Sequence, residues 1–157
     1  MTKLNVVVLA AGKGTRMRSA LPKVLHKLAG EPMLGHVLKA AFAQAAEHVV
    51  VIYGYGGDLV KNAFDDTRLR FALQEPQLGT GHALMQALPH LSEDGTTLVL
   101  YGDVPLIQPA TLQRVLAHPG QLCLLSAIVD NPTGYGRIVR GVDGRVQRIV
   151  EEKDANA

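Results

Sequence analysis

Residues 6–18 read Val-Val-Val-Leu-Ala-Ala-Gly-Lys-Gly-Thr-Arg-Met-Arg, and the predicted fold is built around them. It opens with an apolar, mostly β-branched run, which is typical of strands buried on both faces. Two glycines and a group of basic residues follow directly, and Leu21-Pro22-Lys23 closes the segment. The pattern predicts a central strand that ends in a basic, glycine-containing loop.

The distribution of charge points to the same loop. Residues 1–30 carry six Lys or Arg and no acid, whereas the other 127 residues carry ten Lys or Arg and 14 acids. Because so many like charges repel one another, we expect an anion to complete this loop, and a polyphosphate fits. The net charge of +2 for the whole chain is too small to indicate a nucleic-acid-binding protein.

Two common phosphate-binding loops do not fit the spacing. A P-loop requires a glycine five positions before its Gly-Lys-Thr, where this chain has Val7, and Lys13 is followed by glycine instead of a hydroxyl residue. The dinucleotide-binding fingerprint requires a third glycine three positions after Gly14, where this chain has Met17.

A third signature does fit, and it covers the whole loop. The order Leu9-Ala10-Ala11-Gly12-x-Gly14-Thr15-Arg16-Met17, followed by Pro22-Lys23, resembles the signature loop of sugar-nucleotide nucleotidyltransferases. This resemblance is specific because small residues, two glycines, an arginine and a later Pro-Lys must all coincide.

Strand-like and helix-like segments alternate along the chain. The apolar patterns predict strands at 4–9, 48–52, 69–73, 97–100 and 122–129, helices at 33–46, 58–64, 82–88 and 109–117, and a hairpin of 137–140 with 145–150. The alternation predicts an α/β fold with a doubly wound, mainly parallel sheet and a Rossmann-like nucleotide-binding half. If the first four strands lie in the order 3-2-1-4, the basic loop and Asp103 share the crevice where the order reverses.

The bulk composition narrows the class of protein. At 157 residues and 47% hydrophobic content, the chain is long enough for one domain with a substantial core. The apolar runs are too short to span a membrane, and aromatic residues are too few to provide stacking platforms for nucleic acid. A single cysteine, Cys123, sits in an apolar run and predicts a buried thiol and a cytoplasmic protein.

Two groups of residues suit the binding of a nucleoside triphosphate and its metal. Gly12 and Gly14 leave room for backbone N–H groups to approach phosphate, Thr15 adds a hydroxyl, and Arg16 and Lys23 add charge. Asp103 follows the predicted buried strand at 97–100, and a carboxylate in this position indicates a Mg²⁺ ligand. The alternative for Asp103 is an ordinary turn aspartate.

Two further segments carry polar groups that suit a base and a sugar. Gln74 has an amide that can both donate and accept, as the edge of a pyrimidine requires, and Gly79 and Thr80 follow it, although a plain polar loop remains the alternative. His82, at a predicted helix start, reads as structural. Later in the chain, Glu151 follows an apolar strand, and its carboxylate could accept hydrogen bonds from sugar hydroxyls. The alternative is that Glu151 is part of a charged terminus.

Taken together, these motifs resemble the pyrophosphorylase domain of the bacterial bifunctional N-acetylglucosamine-1-phosphate uridyltransferases. The resemblance implies a Mg²⁺-dependent reaction of UTP with N-acetylglucosamine 1-phosphate that gives UDP-N-acetylglucosamine and pyrophosphate, for peptidoglycan and lipopolysaccharide precursors. It implies nucleotide-binding roles for Leu9, Ala10, Ala11, Gly12, Gly14, Thr15, Lys23, Gln74, Gly79, Thr80, Tyr101, Gly102 and Asp103, catalytic roles for Arg16 and Lys23, sugar binding by Gly136 and Glu151, and metal binding by Asp103.

The chain departs from that family in two respects. Family members use two later asparagines, one that contacts the sugar and one that binds the metal, and both positions would lie beyond residue 157. Family members also carry an acetyltransferase β-helix built from hexapeptide repeats, and no such repeat appears in this sequence. We therefore expect residues 1–157 to be a single nucleotidyltransferase domain, truncated at its C-terminus, from a parent that trimerises through the missing domain. The alternatives are a nucleotide-binding module without turnover and a nucleotidyltransferase for another sugar phosphate.

Overall fold

The computed structural model of the protein describes residues 3–14, 17–118, 120 and 122–155. Two compact units make up the chain, Met1–Ala117 and His118–Ala157. In the first unit, strands and helices follow in the order β1 (Lys3–Leu9), β2 (Lys27–Leu28), β3 (Glu31–Pro32), α1 (Met33–Phe42), β4 (Val49–Tyr53), α2 (Gly57–Asn62), β5 (Leu69–Leu73), α3 (Thr80–Met85), β6 (Gly95–Tyr101) and α4 (Pro109–Leu116).

The central sheet of the first unit is parallel, with the strand order β5-β4-β1-β6. This is the predicted 3-2-1-4 order, which is therefore confirmed. The register places Val6 of β1 beside Val49 on one side and Leu98 on the other. The order reverses between β1 and β6, so the segments that leave the carboxyl ends of these two strands border one crevice.

Both faces of the sheet are covered. Alternate side chains of β1 point to opposite faces, and each set packs into its own core cluster. Val6 and Val8 pack into the larger core cluster, which also contains Leu34 of α1 and Leu112 of α4. On the opposite face, Val7 packs into a second cluster with Ala83 of α3. Helices on both faces of a parallel sheet confirm the predicted doubly wound α/β fold.

The first helix is shorter than its apolar pattern suggested. The sequence predicted a helix over 33–46, but α1 ends at Phe42. The following backbone tightens into three-residue turns, with the Gln44 N–H donating to the Ala41 carbonyl, and Ala45 adopts a positive φ of 57°. Helical spacing of apolar residues therefore continued past the point where the hydrogen-bond ladder stopped.

The second unit contains an antiparallel hairpin of β7 (Arg137–Arg140) and β8 (Val146–Val150). The predicted hairpin is thus confirmed, but the strand predicted at 122–129 is wrong, since none of those residues lies in a strand. Leu122 and Ile128 are largely exposed and Cys123 is only partly covered, contrary to the predicted buried thiol. An apolar run predicts burial, but a strand also needs a hydrogen-bonded neighbour.

Candidate nucleotide site

The first wall of the site is the loop that leaves β1. The Ala10 N–H donates to the Ile52 carbonyl at 2.8 Å, so the strand ladder extends one residue beyond β1 before the loop turns away. On the other side of β1, the Gly102 N–H donates to the Leu9 carbonyl at 2.9 Å. The segments after β1 and β6 therefore start side by side at the carboxyl edge of the sheet, as the strand order predicts.

An ion pair joins these two segments. The Lys23 ammonium donates to Asp103 Oδ2 at 2.7 Å, and each side chain is 34% exposed. Lys23 begins a short 3-10 turn whose next two residues, Val24 and Leu25, are buried and anchor it in the core. The cation and the carboxylate that the sequence assigned to phosphate and metal are thus held together, with part of each open to solvent.

Gly14 lies against the Cβ of Lys23. Its φ is +59°, and a Cβ on it would lie 2.7 Å from the Cβ of Lys23. Both the left-handed backbone and the close approach require glycine at this position. The basic loop consequently passes close enough to Lys23 to share one site with it.

The opposite wall is the loop after β5, which is built around Gln74. This residue is buried, and its Nε2 donates to the Gly79 carbonyl at 2.9 Å and lies 3.3 Å from Nδ1 of His82. Its backbone N–H donates to the Tyr53 carbonyl, which extends the ladder between β4 and β5. His82 supports Gln74, in agreement with the structural role that its sequence position suggested.

Gln77 connects this wall to the first one. Its Nε2 donates to the Ala11 carbonyl at 2.6 Å, which links two loops 66 residues apart in the chain. Gly54 lies beside this bond, since a Cβ there would be 2.5 Å from Gln77 Nε2. Gln77 was not among the site residues predicted from the sequence. Its polar loop was visible, but the direction of its side chain depends on the packing around Gly54.

These walls enclose an open cavity of ≈ 420 Å³, a volume within the usual range for small-molecule sites. Its polar lining includes Gln74, Gln77, Thr80, Tyr101 and the Lys23–Asp103 pair. The cavity is lined by Leu9, Ala10, Ala11, Gly12, Gly14, Lys23, Val24, Gln74, Gln77, Gly79, Thr80, Ala83, Tyr101 and Asp103. Almost all predicted nucleotide-binding residues therefore meet at one cavity, and only Val24, Gln77 and Ala83 were not predicted.

Five predicted site residues remain to be placed. Thr15 and Arg16 lie outside the described residues. Gly102 lies just behind the wall, where a Cβ would be 3.2 Å from the Leu9 carbonyl oxygen. Gly136 and Glu151 belong to the second unit. There the pairing of Arg137 with Val150 places Gly136 and Glu151 opposite each other, one step beyond the paired ends of β7 and β8.

The described side chains alone do not provide a metal cage. Among the described residues, no cluster of three or more His, Cys, Asp or Glu side chains is positioned to hold a metal ion. Asp103 contributes a single carboxylate to this cavity, and such a donor suits Mg²⁺, which takes its other ligands from phosphate and water. None of the described helices has the length and apolar character needed to cross a bilayer.

The pattern of the MobA-like NTP transferase domain matches residues 6–137, which include both walls of the cavity. The chain belongs to this family. Among curated proteins, the bifunctional protein GlmU of Azoarcus sp. (strain BH72) is 61% identical over 155 residues, covering 98% of this chain and 34% of that protein. The chain thus spans about a third of the length of the curated relatives it matches.

Two solved structures share the fold. A nucleotidyl transferase from a Methanothermobacter species superimposes with a TM-score of 0.67 at 26% identity, covering 75% of this chain and 58% of that one. The manganese complex of Rv0371c from Mycobacterium tuberculosis superimposes with a TM-score of 0.62 at 27% identity, covering 73% and 58% of the two chains.

Proposed function

We propose that this chain is the nucleotide-binding and catalytic part of a uridylyltransferase that makes UDP-N-acetylglucosamine and pyrophosphate from UTP and N-acetylglucosamine 1-phosphate. The observation that carries the proposal is the cavity at the carboxyl edge, where Lys23 and Asp103 face the two polar loops. The choice of nucleotide and sugar rests on the motifs that resemble the N-acetylglucosamine-1-phosphate uridyltransferases, and the 61% identity to the bifunctional protein GlmU of Azoarcus supports a sugar-nucleotide transferase. The cytoplasmic location and the supply of peptidoglycan and lipopolysaccharide precursors belong to the same proposal, as does a trimeric whole protein.

The uracil and ribose would lie between the two loops. Backbone groups of Ala10, Ala11 and Gly12 line one side of the cavity, and Gln74 with Gly79 lines the other. The Nε2 of Gln74 is held by the Gly79 carbonyl, so its amide has a fixed orientation. Fixed donors and acceptors select a base edge more sharply than mobile ones, because little conformational entropy is lost when the base binds.

The triphosphate would lie toward Lys23. Its ammonium is a compact charge that can move from one oxygen to another, and Arg16 would add a planar pair of donors. Asp103 would hold Mg²⁺ together with phosphate oxygens, and when bound the ion would neutralise charge on the triphosphate. The residues of this chain then position the α-phosphorus and keep positive charge close to it.

In the proposed reaction, an oxygen of N-acetylglucosamine 1-phosphate attacks the α-phosphorus in line. A new P–O bond forms to the sugar phosphate as the bond between the α-phosphorus and the bridging oxygen to the β-phosphate breaks. Pyrophosphate leaves with the electron pair of that bond. Lys23 and Arg16 stabilise the negative charge that grows on the leaving group, since preorganised cations lower the barrier most where charge develops.

The sugar would contact the second unit. Gly136 exposes its backbone, and Glu151 offers an exposed carboxylate at the same end of the hairpin. A carboxylate can accept hydrogen bonds from two neighbouring hydroxyls, which suits a hexose.

Isothermal titration calorimetry with UTP, CTP, ATP and GTP, each with Mg²⁺, tests the proposal directly. We expect UTP to bind at least about tenfold more tightly than the others, a difference of about 1.4 kcal/mol. Equal binding of all four would exclude uridine selectivity and favour another nucleotide or sugar phosphate. No binding by a chain that circular dichroism shows to be folded would overturn the proposed site. UTP binding without pyrophosphate release in the whole protein would favour a binding module.

A further inference from the structure

We propose that Gln77 is a positioning residue of the cavity, whose side-chain amide sets the peptide between Ala11 and Gly12 so that the Gly12 N–H is presented to the nucleotide. The inference rests on the proposed nucleotide-binding function. It goes further by assigning one residue that fixes the loop after β1 before any nucleotide binds.

The contact joins the two walls of the cavity. Gln77 Nε2 donates to the Ala11 carbonyl oxygen at 2.6 Å, and both residues line the cavity. The amide and the carbonyl come from segments 66 residues apart, so the bond depends on the tertiary structure and not on local turn geometry. The bond is partly buried, where a hydrogen bond is stronger than in open water.

The planarity of the peptide transmits this contact to Gly12. In a trans peptide the carbonyl of one residue and the N–H of the next point in opposite directions within one rigid plane. When Gln77 holds the Ala11 carbonyl, the Gly12 N–H is therefore directed away from Gln77. A Cβ built on Gly12 meets no atom within 4 Å, so the space beside this donor is open to a ligand.

The backbone of Gly54 leaves room for the bond. A Cβ at this position would lie 2.5 Å from Gln77 Nε2 and 3.1 Å from the Ala11 carbonyl oxygen, so it would press on both partners. Gly54 does not adopt the left-handed backbone that favours glycine. The close approach, and not backbone strain, is what requires glycine here.

The first test compares three variants by calorimetry with UTP and Mg²⁺. Gln77→Glu keeps the size of the side chain but replaces the donor with an acceptor that repels the Ala11 carbonyl, and Gln77→Leu removes the polar group. We expect both to weaken UTP binding by about 2- to 10-fold, the range for one hydrogen bond between uncharged groups. Gln108→Glu is the matched control, because the Gln108 amide also donates to a backbone carbonyl, that of Leu106, but outside the cavity.

A second readout separates positioning from mere structural support. In ¹⁵N-labelled wild-type protein, the Gly12 amide resonance should shift when UTP binds, and this shift should be lost or much reduced in Gln77→Glu. A merely structural role would lower the melting temperature and leave the UTP-induced Gly12 shift unchanged, and that result would overturn the inference.

Gly54→Ala tests the same contact without changing Gln77. We expect it to weaken UTP binding in the wild type and to have a smaller effect in the Gln77→Leu background, since both changes remove one interaction. Additive effects would overturn the inference. If the wild type binds UTP and the Gln77 variants bind it equally well, only the role of Gln77 fails. If the folded wild type binds no nucleotide, the proposed function fails as well.

Discussion

The Lys23 ammonium donates a 2.7 Å hydrogen bond to the Asp103 carboxylate, 80 residues later in the chain. The two charges balance each other at the cavity wall, and each side chain is about two-thirds covered. A bound triphosphate would offer Lys23 a second anionic partner, and a divalent cation would do the same for Asp103. The two residues should therefore respond in opposite ways to substitution.

Replacing Lys23 with alanine should weaken binding of UTP by at least about tenfold, with or without metal, because a charge-assisted phosphate contact is lost. In a protein that carries out the transfer, pyrophosphate release should fall by about 100- to 1,000-fold. Lys39→Ala is the control, since that lysine pairs with Glu31 on the surface. Equal effects of the two substitutions would remove Lys23 from the proposed site.

Asp103→Asn should separate metal dependence from nucleotide binding. We expect metal-free UTP to bind as well as before or more tightly, because Lys23 loses its competing partner, while the gain in affinity on adding Mg²⁺ disappears. Because the pair is partly exposed, the free energy of unfolding should change by less than about 1 kcal/mol. Titrations with and without Mg²⁺ check this, and an undiminished Mg²⁺ effect would exclude Asp103 as the metal ligand.

Gly14→Ala should weaken UTP binding more than its effect on stability explains. The new Cβ would lie 2.7 Å from the Lys23 Cβ and would push the lysine away from Asp103. Gly30→Ala is the matched control, since Gly30 has a φ of +86° with nothing within 4 Å of a Cβ. Both variants should lose about 1–2 kcal/mol from backbone strain, but only Gly14→Ala should lose UTP affinity in calorimetry.

Leu34→Ala should destabilise the protein by about 2–5 kcal/mol, because it leaves a cavity in the larger core cluster. The Leu34 side chain is 0% exposed, whereas Leu106 is 74% exposed. Leu106→Ala should stay within about 0.5 kcal/mol of the wild type. Urea denaturation measures both, and similar losses for the two variants would contradict the assignment of Leu34 to the core.

Acid should remove a contribution of Asp66 to stability. Hydrogen bonds from Arg68 lower the pKa of the Asp66 carboxyl from 3.8 to about 2, and the guanidinium also lies 3.7 Å from the centre of the Phe42 ring. A pKa depressed in the folded state stabilises it above the unfolded pKa, and this is lost as the pH falls through the folded pKa.

The stability difference between wild type and Asp66→Asn should therefore be constant above about pH 4 and shrink between about pH 4 and pH 2. Urea denaturation over this pH range measures it. Asp65→Asn removes the same charge from the exposed neighbouring residue and leaves the Arg68 contact intact. A difference for Asp66→Asn that does not vary with pH would contradict the assignment.

Much of the architecture could be predicted because it depends on local patterns and on general rules of chain connection. The β-branched run of β1 indicates a buried strand, and its alternation with helices indicates a parallel sheet. Short, right-handed crossovers then leave few strand orders, and the predicted one is found. That order brings the loop at Gly12 and Asp103 to the same edge of the sheet. The sequence predicted this proximity although the two residues are about 90 positions apart.

The apolar run at 122–129 was predicted to be a strand, but it does not form one. Its composition is that of a strand, but the described part of the second unit contains a two-stranded sheet formed by β7 and β8, without these residues. An apolar side-chain pattern indicates that a segment tends to be buried. A strand also requires backbone hydrogen bonds to a neighbouring strand, and the sequence of the run does not specify that neighbour.

The strand β1, the basic loop after it and most residues that line the cavity could be predicted from the sequence, because periodicity, charge and glycine placement are visible in local patterns. The tertiary structure alone decided which atoms meet: Lys23 with Asp103, and Gln77 with the Ala11 carbonyl. Those contacts depend on side-chain rotamers and on the space left by distant residues such as Gly54. Rotamers and free space are set by packing in three dimensions, which no local pattern specifies.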